Sequence, residues 1–273
     1  MSIEVAPRRQ PQSGFVGLAA RSLRTVWLVA VLLPHFGITG CSSDTDDVPD
    51  TGSASDIRDD LTDSGSPATC SAPQGVDTFP ESVSEAVALI NALPRPLSLT
   101  CFLQVLQRPL HLNATSSPFS AQPADGESSP RMFIMNGPLI MSVTLGTEGR
   151  TLLEFSEMQA SGRTIKAELP FPVVSEVSAE APYDNLMFND DQTRCAICHA
   201  DERPVFEVNG VTAFESIPFR PHDDSIVDML RVVELQQDCD SEEDAERCSM
   251  LQALVGSPFV EEPFPREFLT MFR

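Results

Sequence analysis

Between residues 81 and 93 the apolar positions Val83, Val87 and Ile90 recur at i, i+4 and i+7, the stripe of a 3.6-residue turn. Pro94 ends the run, so the spacing predicts a helix there. Ser98 stands where an N-cap belongs, ahead of a second, shorter helix through Cys101, Phe102 and Val105 that Pro109 closes. From Leu110 the period shortens to two. Strands are expected over 110–116, 131–135, 139–145, 151–156 and 163–171. Asn136-Gly137 signals a hairpin between the second and third, in a turn that Pro138 lengthens, and Ser161-Gly162 separates the last two. Strands in such succession form an antiparallel meander, with 116–129 as a long polar loop.

Helical spacing returns near the C-terminus. Over 225–236, Ile226, Met229, Leu230 and Val233 share one stripe. Ser241 with Asp244 forms a capping box for a helix reaching Val255, where Gly256 and Pro258 stop it. Phe259, Phe264, Phe268 and Phe272 are apolar anchors that return the tail to the core. The expected fold class is α+β, a single domain over 67–273 whose roughly 200 residues suffice for one core. A helical segment over 67–109 leads into a small antiparallel sheet over 110–174, and a helical part follows over 175–273. Met132, Met135, Met141 and Met158 have ordinary apolar neighbours in strand context and read as core rather than as a copper set. His111 is a lone surface or structural histidine.

The N-terminus changes the picture. Arg8, Arg9, Arg21 and Arg24 precede an apolar run from Val26 to Leu33, too short to span a bilayer, and Ile38-Thr39-Gly40-Cys41 follows. This layout is that of a secretory signal, and its last four residues closely resemble the lipobox of bacterial lipoproteins. The resemblance implies a lipoprotein signal peptide over 1–40 and acylation of Cys41. It also implies, because Ser42 rather than Asp follows, sorting to the outer membrane, with the chain in the cell envelope facing the periplasm or the cell surface. Residues 41–66 are acidic and nearly devoid of large apolar side chains, which predicts a disordered tether.

Charge narrows the partners. The formal net charge is −22; loss of residues 1–40 removes four arginines and one glutamate, three positive charges net, and leaves −25. Such an excess excludes nucleic acid and bare anionic lipid as partners, leaves the acyl chains as the membrane attachment, and favours a protein partner with a basic face.

Seven cysteines are present. Cys195-Ala196-Ile197-Cys198-His199 is a C-x-x-C-H pentapeptide, which this composition produces by chance in roughly 3 of 1,000 chains. It resembles the haem-attachment motif of c-type cytochromes over those five residues. That resemblance implies one covalent haem c, with thioethers at Cys195 and Cys198 and His199 as proximal iron ligand. With Cys41 for lipid, four cysteines remain for two disulfides in an oxidising compartment, most simply Cys70–Cys101 and Cys239–Cys248. For the sixth iron position Met250, 51 residues beyond His199, is the first candidate and His222 the second; an open position would permit peroxidase-like chemistry. A redox-inert Cys195–Cys198 disulfide, thiol–disulfide exchange, and zinc shared with Cys239 and Cys248 are the competing readings of the motif. The turn-like stretch 187–191 ahead of Cys195 departs from the helix and aromatic usual in cytochromes c.

The functional expectation is a membrane-tethered lipoprotein with one c-type haem, an electron carrier rather than a catalyst, working with a redox protein partner. The alternative is a non-enzymatic binding or structural lipoprotein whose pentapeptide is only a disulfide.

Overall fold

The computed structural model describes residues 70–270 apart from 121, 148, 190 and 200. The signal peptide, the 41–66 tether, the lipidation site Cys41 and the Phe272 anchor lie outside these residues.

Side-chain caps start the first two helices where the sequence places them. Ser82 accepts from the Glu85 amide at the head of α1 (Val83–Ala92), and Ser98 from the Cys101 amide at the head of α2 (Leu99–Val105). The meander follows as β1 (Leu110–Thr115), β2 (Arg131–Asn136), β3 (Leu139–Thr144), β4 (Leu152–Met158) and β5 (Thr164–Pro170), each antiparallel to the next. Pro138 does not lengthen the β2–β3 turn. Asn136 pairs with Leu139, so Gly137-Pro138 is a two-residue link, with Gly137 at φ 55° in the first central position.

Beyond β5 come α3 (Ala181–Asp184), the hairpin of β6 (Met187–Asn189) and β7 (Gln192–Thr193), β8 (Arg203–Val208), β9 (Val211–Ser216) and β10 (Phe219–Arg220). The last elements are α4 (Met229–Gln237), α5 (Ala245–Val255), β11 (Phe259–Glu261) and β12 (Leu269–Thr270). The main sheet has the order β11-β1-β2-β3-β4-β5-β9-β8, antiparallel except for the β1–β11 pair. The α+β class stands, but the sheet is larger than expected, and 175–273 carries strands β6 to β12 beside its helices α3, α4 and α5. The β8–β9 hairpin extends the meander through a turn of Asn209 (φ 49°) and Gly210 (φ 88°), the two positive angles a type I′ link requires.

Side chains alternate across this sheet as the pleat demands. Leu112, Ile134, Met141, Phe155 and Ala167 lie in cross-strand register, all at most 1% exposed, on the face covered by α1, α2, α4 and α5. The neighbouring register row, on the opposite face, reads Asn113, Phe133, Ser142, Glu154 and Glu168. A small apolar cluster of Met135, Ile140, Phe264 and Phe268 anchors the tail on that second face, where Phe264 meets Phe133 edge-on at 4.8 Å.

The C-terminal helices start later than their patterns suggest. Residues 225–227 are held extended beside β1: Ser116 N donates to the Ser225 carbonyl at 2.8 Å and Val227 N to Ala114 at 2.9 Å. Asp228 therefore caps α4, which buries Met229, Val232 and Leu235 and leaves Leu230 71% exposed. For α5 the cap is Asp244, which accepts from Arg247 N, and no Ser241 capping box forms. The Asp244 carboxylate also takes Arg150 bidentately, at 2.7 and 2.8 Å, tying the helix start to the turn after β3. Both disulfides expected from the cysteine count are present: Cys70–Cys101 joins the lead-in to α2, and Cys239–Cys248 joins α4 to α5.

Candidate functional site

The pentapeptide lies against the polar face of the sheet. It is carried by a 3₁₀ turn, Arg194–Ile197, directly after β7. Thr193 caps this turn by accepting from the Cys195 amide at 3.0 Å, and Glu202 in turn accepts from the Thr193 amide at 3.0 Å. Arg194 pairs with Glu168 of β5 at 2.9 Å, and its amide donates to the Leu186 carbonyl. Within the motif, the amides of Cys198 and His199 both donate to the Cys195 carbonyl, at 3.1 and 2.8 Å. The loop is thus fixed from β5, from the β6–β7 hairpin and from the approach to β8. An irregular turn suits the motif because no helix is needed to bring its three side chains to one side.

His199 is oriented by its neighbours. Its Nδ1 lies 2.9 Å from the Ile217 carbonyl, and its ring packs on Phe219 with centroids 5.2 Å apart. A carbonyl only accepts, so Nδ1 carries the proton and Nε2 keeps its lone pair, the tautomer a metal-ligating histidine adopts. Burial, helped by the Lys166 charge, lowers the imidazole pKa to about 4, so the ring is neutral across the physiological range.

Cys195 and Cys198 are not bonded to each other; both are free thiols. Burial pushes Cys195 up to about 11, with Lys166 only partly opposing it. A thiol so protonated is a poor nucleophile, which counts against thiol–disulfide exchange. Cys239 and Cys248 are bonded to one another, and among the described residues no cluster of three or more Cys, His, Asp or Glu side chains could hold a metal ion. Zinc shared between the two cysteine pairs is therefore ruled out by that disulfide.

Cys195, Cys198 and His199 all line one cavity of about 380 Å³ between the sheet and the loops, within the usual cofactor-site range of roughly 300–1,000 Å³. Phe133, Leu186 and Phe219 give it apolar walls. Its floor on the sheet is charged: Arg131 pairs with Glu154, Arg194 with Glu168, and Lys166 donates to Ser156 Oγ at 2.8 Å. Arg131 Nε and Glu154 Oε1 are buried there without a hydrogen-bond partner among the protein atoms, a sign of a floor made to meet something further. A second, wider, open and polar groove is lined by Asp191, Asp201, Glu202 and His199; there Asp201 is paired with Arg163 and Arg203, at 3.1 and 3.0 Å, and Glu202 accepts from the Thr193 amide.

The other site expectations divide. His222 lines the same cavity as His199, its Nδ1 accepting from the Asp224 amide at 3.3 Å. Met250 does not line it. It is 1% exposed in α5, within the core on the helix side of the sheet, so the expectation that it supplies the sixth ligand is corrected. Met229 is likewise core, at 3% exposure. Sequence reasoning missed Lys166, the chain's only lysine, and the Ile217 carbonyl. Lys166 was legible as the chain's single lysine, set between Ile165 and Ala167 of the expected 163–171 strand; the Ile217 contact had no sequence signal.

Two free thiols, one imidazole of the right tautomer and a largely apolar cavity with an ion-paired floor form a donor set that could hold a porphyrin through Cys195 and Cys198. No protein-family model, curated protein or solved structure matches the chain.

Proposed function

We propose that the protein is a membrane-tethered lipoprotein that holds one covalent haem c and carries electrons in the cell envelope. The observation that carries this reading is the convergence of Cys195, Cys198 and His199 on one cavity, with both thiols free and the histidine Nε2 left as a lone pair by the Nδ1 bond to Ile217. When bound, haem supplies a one-electron iron couple. The chain's own residues do the rest. Cys195 and Cys198 are the thioether anchors, His199 is the proximal ligand kept neutral by burial, and Phe133, Leu186 and Phe219 exclude water.

His222 replaces Met250 as the candidate for the sixth position, since it is the other histidine on the cavity wall. A second protein ligand favours electron transfer over peroxidase-like turnover. The chain's net charge of −22 supports docking of a redox partner through a basic face. Acylation at Cys41 and placement at the outer membrane belong to the same proposal and rest on the sequence.

Expression with the haem-ligation machinery tests it. The expected product is red, with a reduced c-type absorption band and haem that stays with the protein through acid–acetone extraction. A folded, colourless protein would leave the structural-lipoprotein alternative. His199→Ala should change the spectrum, His222→Ala should change it if that ligand is correct, and Met250→Leu should leave it as it is.

A further inference from the structure

Four cationic side chains line the cavity, and three of them are already neutralised. Arg131 has Glu154, Arg194 has Glu168 at 2.9 Å, and Arg220 has Asp223. Lys166 has only the neutral hydroxyl of Ser156, at 2.8 Å, and among the described residues no carboxylate lies within 4 Å of its amine. It projects from β5 on the same face as Ser156 and Ile140, beneath the motif. A desolvated ammonium without a counter-charge is costly, and the fold lowers its pKa to about 8 rather than pairing it. Glu154 does not serve as partner, since Arg131 holds one of its oxygens and the other is left unpartnered.

We infer that Lys166 is the seat of a ligand carboxylate, and, resting on the haem reading above, that this carboxylate is a haem propionate. A ligand carboxylate there would give the ammonium the anion the protein does not supply, and would give the ligand a contact beyond those of Cys195, Cys198 and His199. Lys166 is a positioning residue, distinct from the anchors and the iron ligand. Its positive charge beside the ring also opposes a further charge on iron, so it raises the reduction potential.

Because the chain has one lysine, loss of cleavage after lysine reports on this site alone, whatever happens at the N-terminal amine. In the haem-loaded protein Lys166 should be acetylated several-fold more slowly than in the same chain made without the ligation machinery, read by loss of tryptic cleavage after Lys166. Lys166→Gln should keep its covalent haem yet shift the propionate bending mode in the resonance Raman spectrum and lower the midpoint potential, while Lys166→Arg keeps both near wild type. Should Lys166→Gln fail to fold, the acetylation comparison on the wild-type chain still decides. Equal labelling with and without haem, or a haem-bearing Lys166→Gln with unchanged Raman mode and potential, overturns the inference and leaves the haem reading intact. A colourless wild type overturns the haem reading itself, and a free carboxylic acid found on Lys166 in that protein by native mass spectrometry would identify another source of the carboxylate.

Discussion

On one face of the eight-stranded sheet, Leu112, Ile134, Met141, Phe155 and Ala167 lie in register beneath four helices; on the other, the adjacent row is Asn113, Phe133, Ser142, Glu154 and Glu168, with Lys166 two residues from Glu168 along β5. The two rows belong to the same strands, one residue apart, yet they do opposite work. The helix face removes apolar surface from water, at about 1.5–3 kcal/mol per large side chain. The other face buries charges that pair among themselves at best break-even, and it leaves Lys166 and Glu154 Oε1 incompletely partnered. Stability therefore resides on the helix side, and the proposed ligand site on the side that the helices leave to loops.

The strongest test of this division is a cavity on the stable side. Phe102 is fully buried, with its ring centroid 6.0 Å from that of Phe171, and Phe102→Ala should lower the unfolding free energy by about 3–5 kcal/mol in urea titration. The absorption spectrum of any haem-loaded protein that still folds should be unaltered. Next in size is the clasp between the C-terminal helices. Replacing Cys239 and Cys248 by serine should cost about 2.7 kcal/mol by the loop-entropy relation, again with the site unchanged, measured by thermal unfolding with and without the substitutions.

On the polar face the sign reverses. Lys166 titrates at about 8 in the folded chain against an ordinary 10.5, so between those values the unfolded chain holds more protons and the stability of haem-free protein rises with pH. Lys166→Met should abolish that rise and stabilise haem-free protein at pH 7 by about 1 kcal/mol, as replacement of poorly compensated buried charge does. A loss of stability instead would show that the ammonium is compensated within the protein, and would break the comparison. At low pH, His199 acts in the same direction: its folded value of about 4 lies below the ordinary 6.5, so haem-free stability should fall as pH drops through that window, and His199→Phe should flatten that part of the curve. The smallest effect belongs to Ile197, 83% exposed within the motif itself, where Ile197→Ala should stay within about 0.5 kcal/mol in the same unfolding assay.

Much of the framework was legible because its signals are local. Ser82 and Ser98 cap helices whose stripes and terminating prolines lie within a dozen residues, and β1 to β5 follow an alternation that needs no partner to be read. Even the β8–β9 hairpin carried an Asn209-Gly210 signal of the kind recognised at Asn136-Gly137; the charged residues around it, Arg203, Glu207 and Glu215, masked the alternation of strands at the sheet edge. Where local pattern and tertiary contact disagreed, contact prevailed: pairing of 225–227 with β1 delayed α4, and the Arg150 clamp placed the α5 cap at Asp244.

The sequence by itself determined the α+β class, the first two helices, the five-strand meander and the two disulfides, and it singled out the three residues of the candidate site, because period, capping and cysteine count are properties of the chain alone. Only the tertiary structure decided that Met250 faces the wrong side of the sheet, that His222 and Lys166 share a cavity with His199, and that the Ile217 carbonyl fixes the histidine tautomer. Lys166 is 33 positions from His199 along the chain, and only closure of that long separation by the sheet and the loops above it brings the two to one cavity.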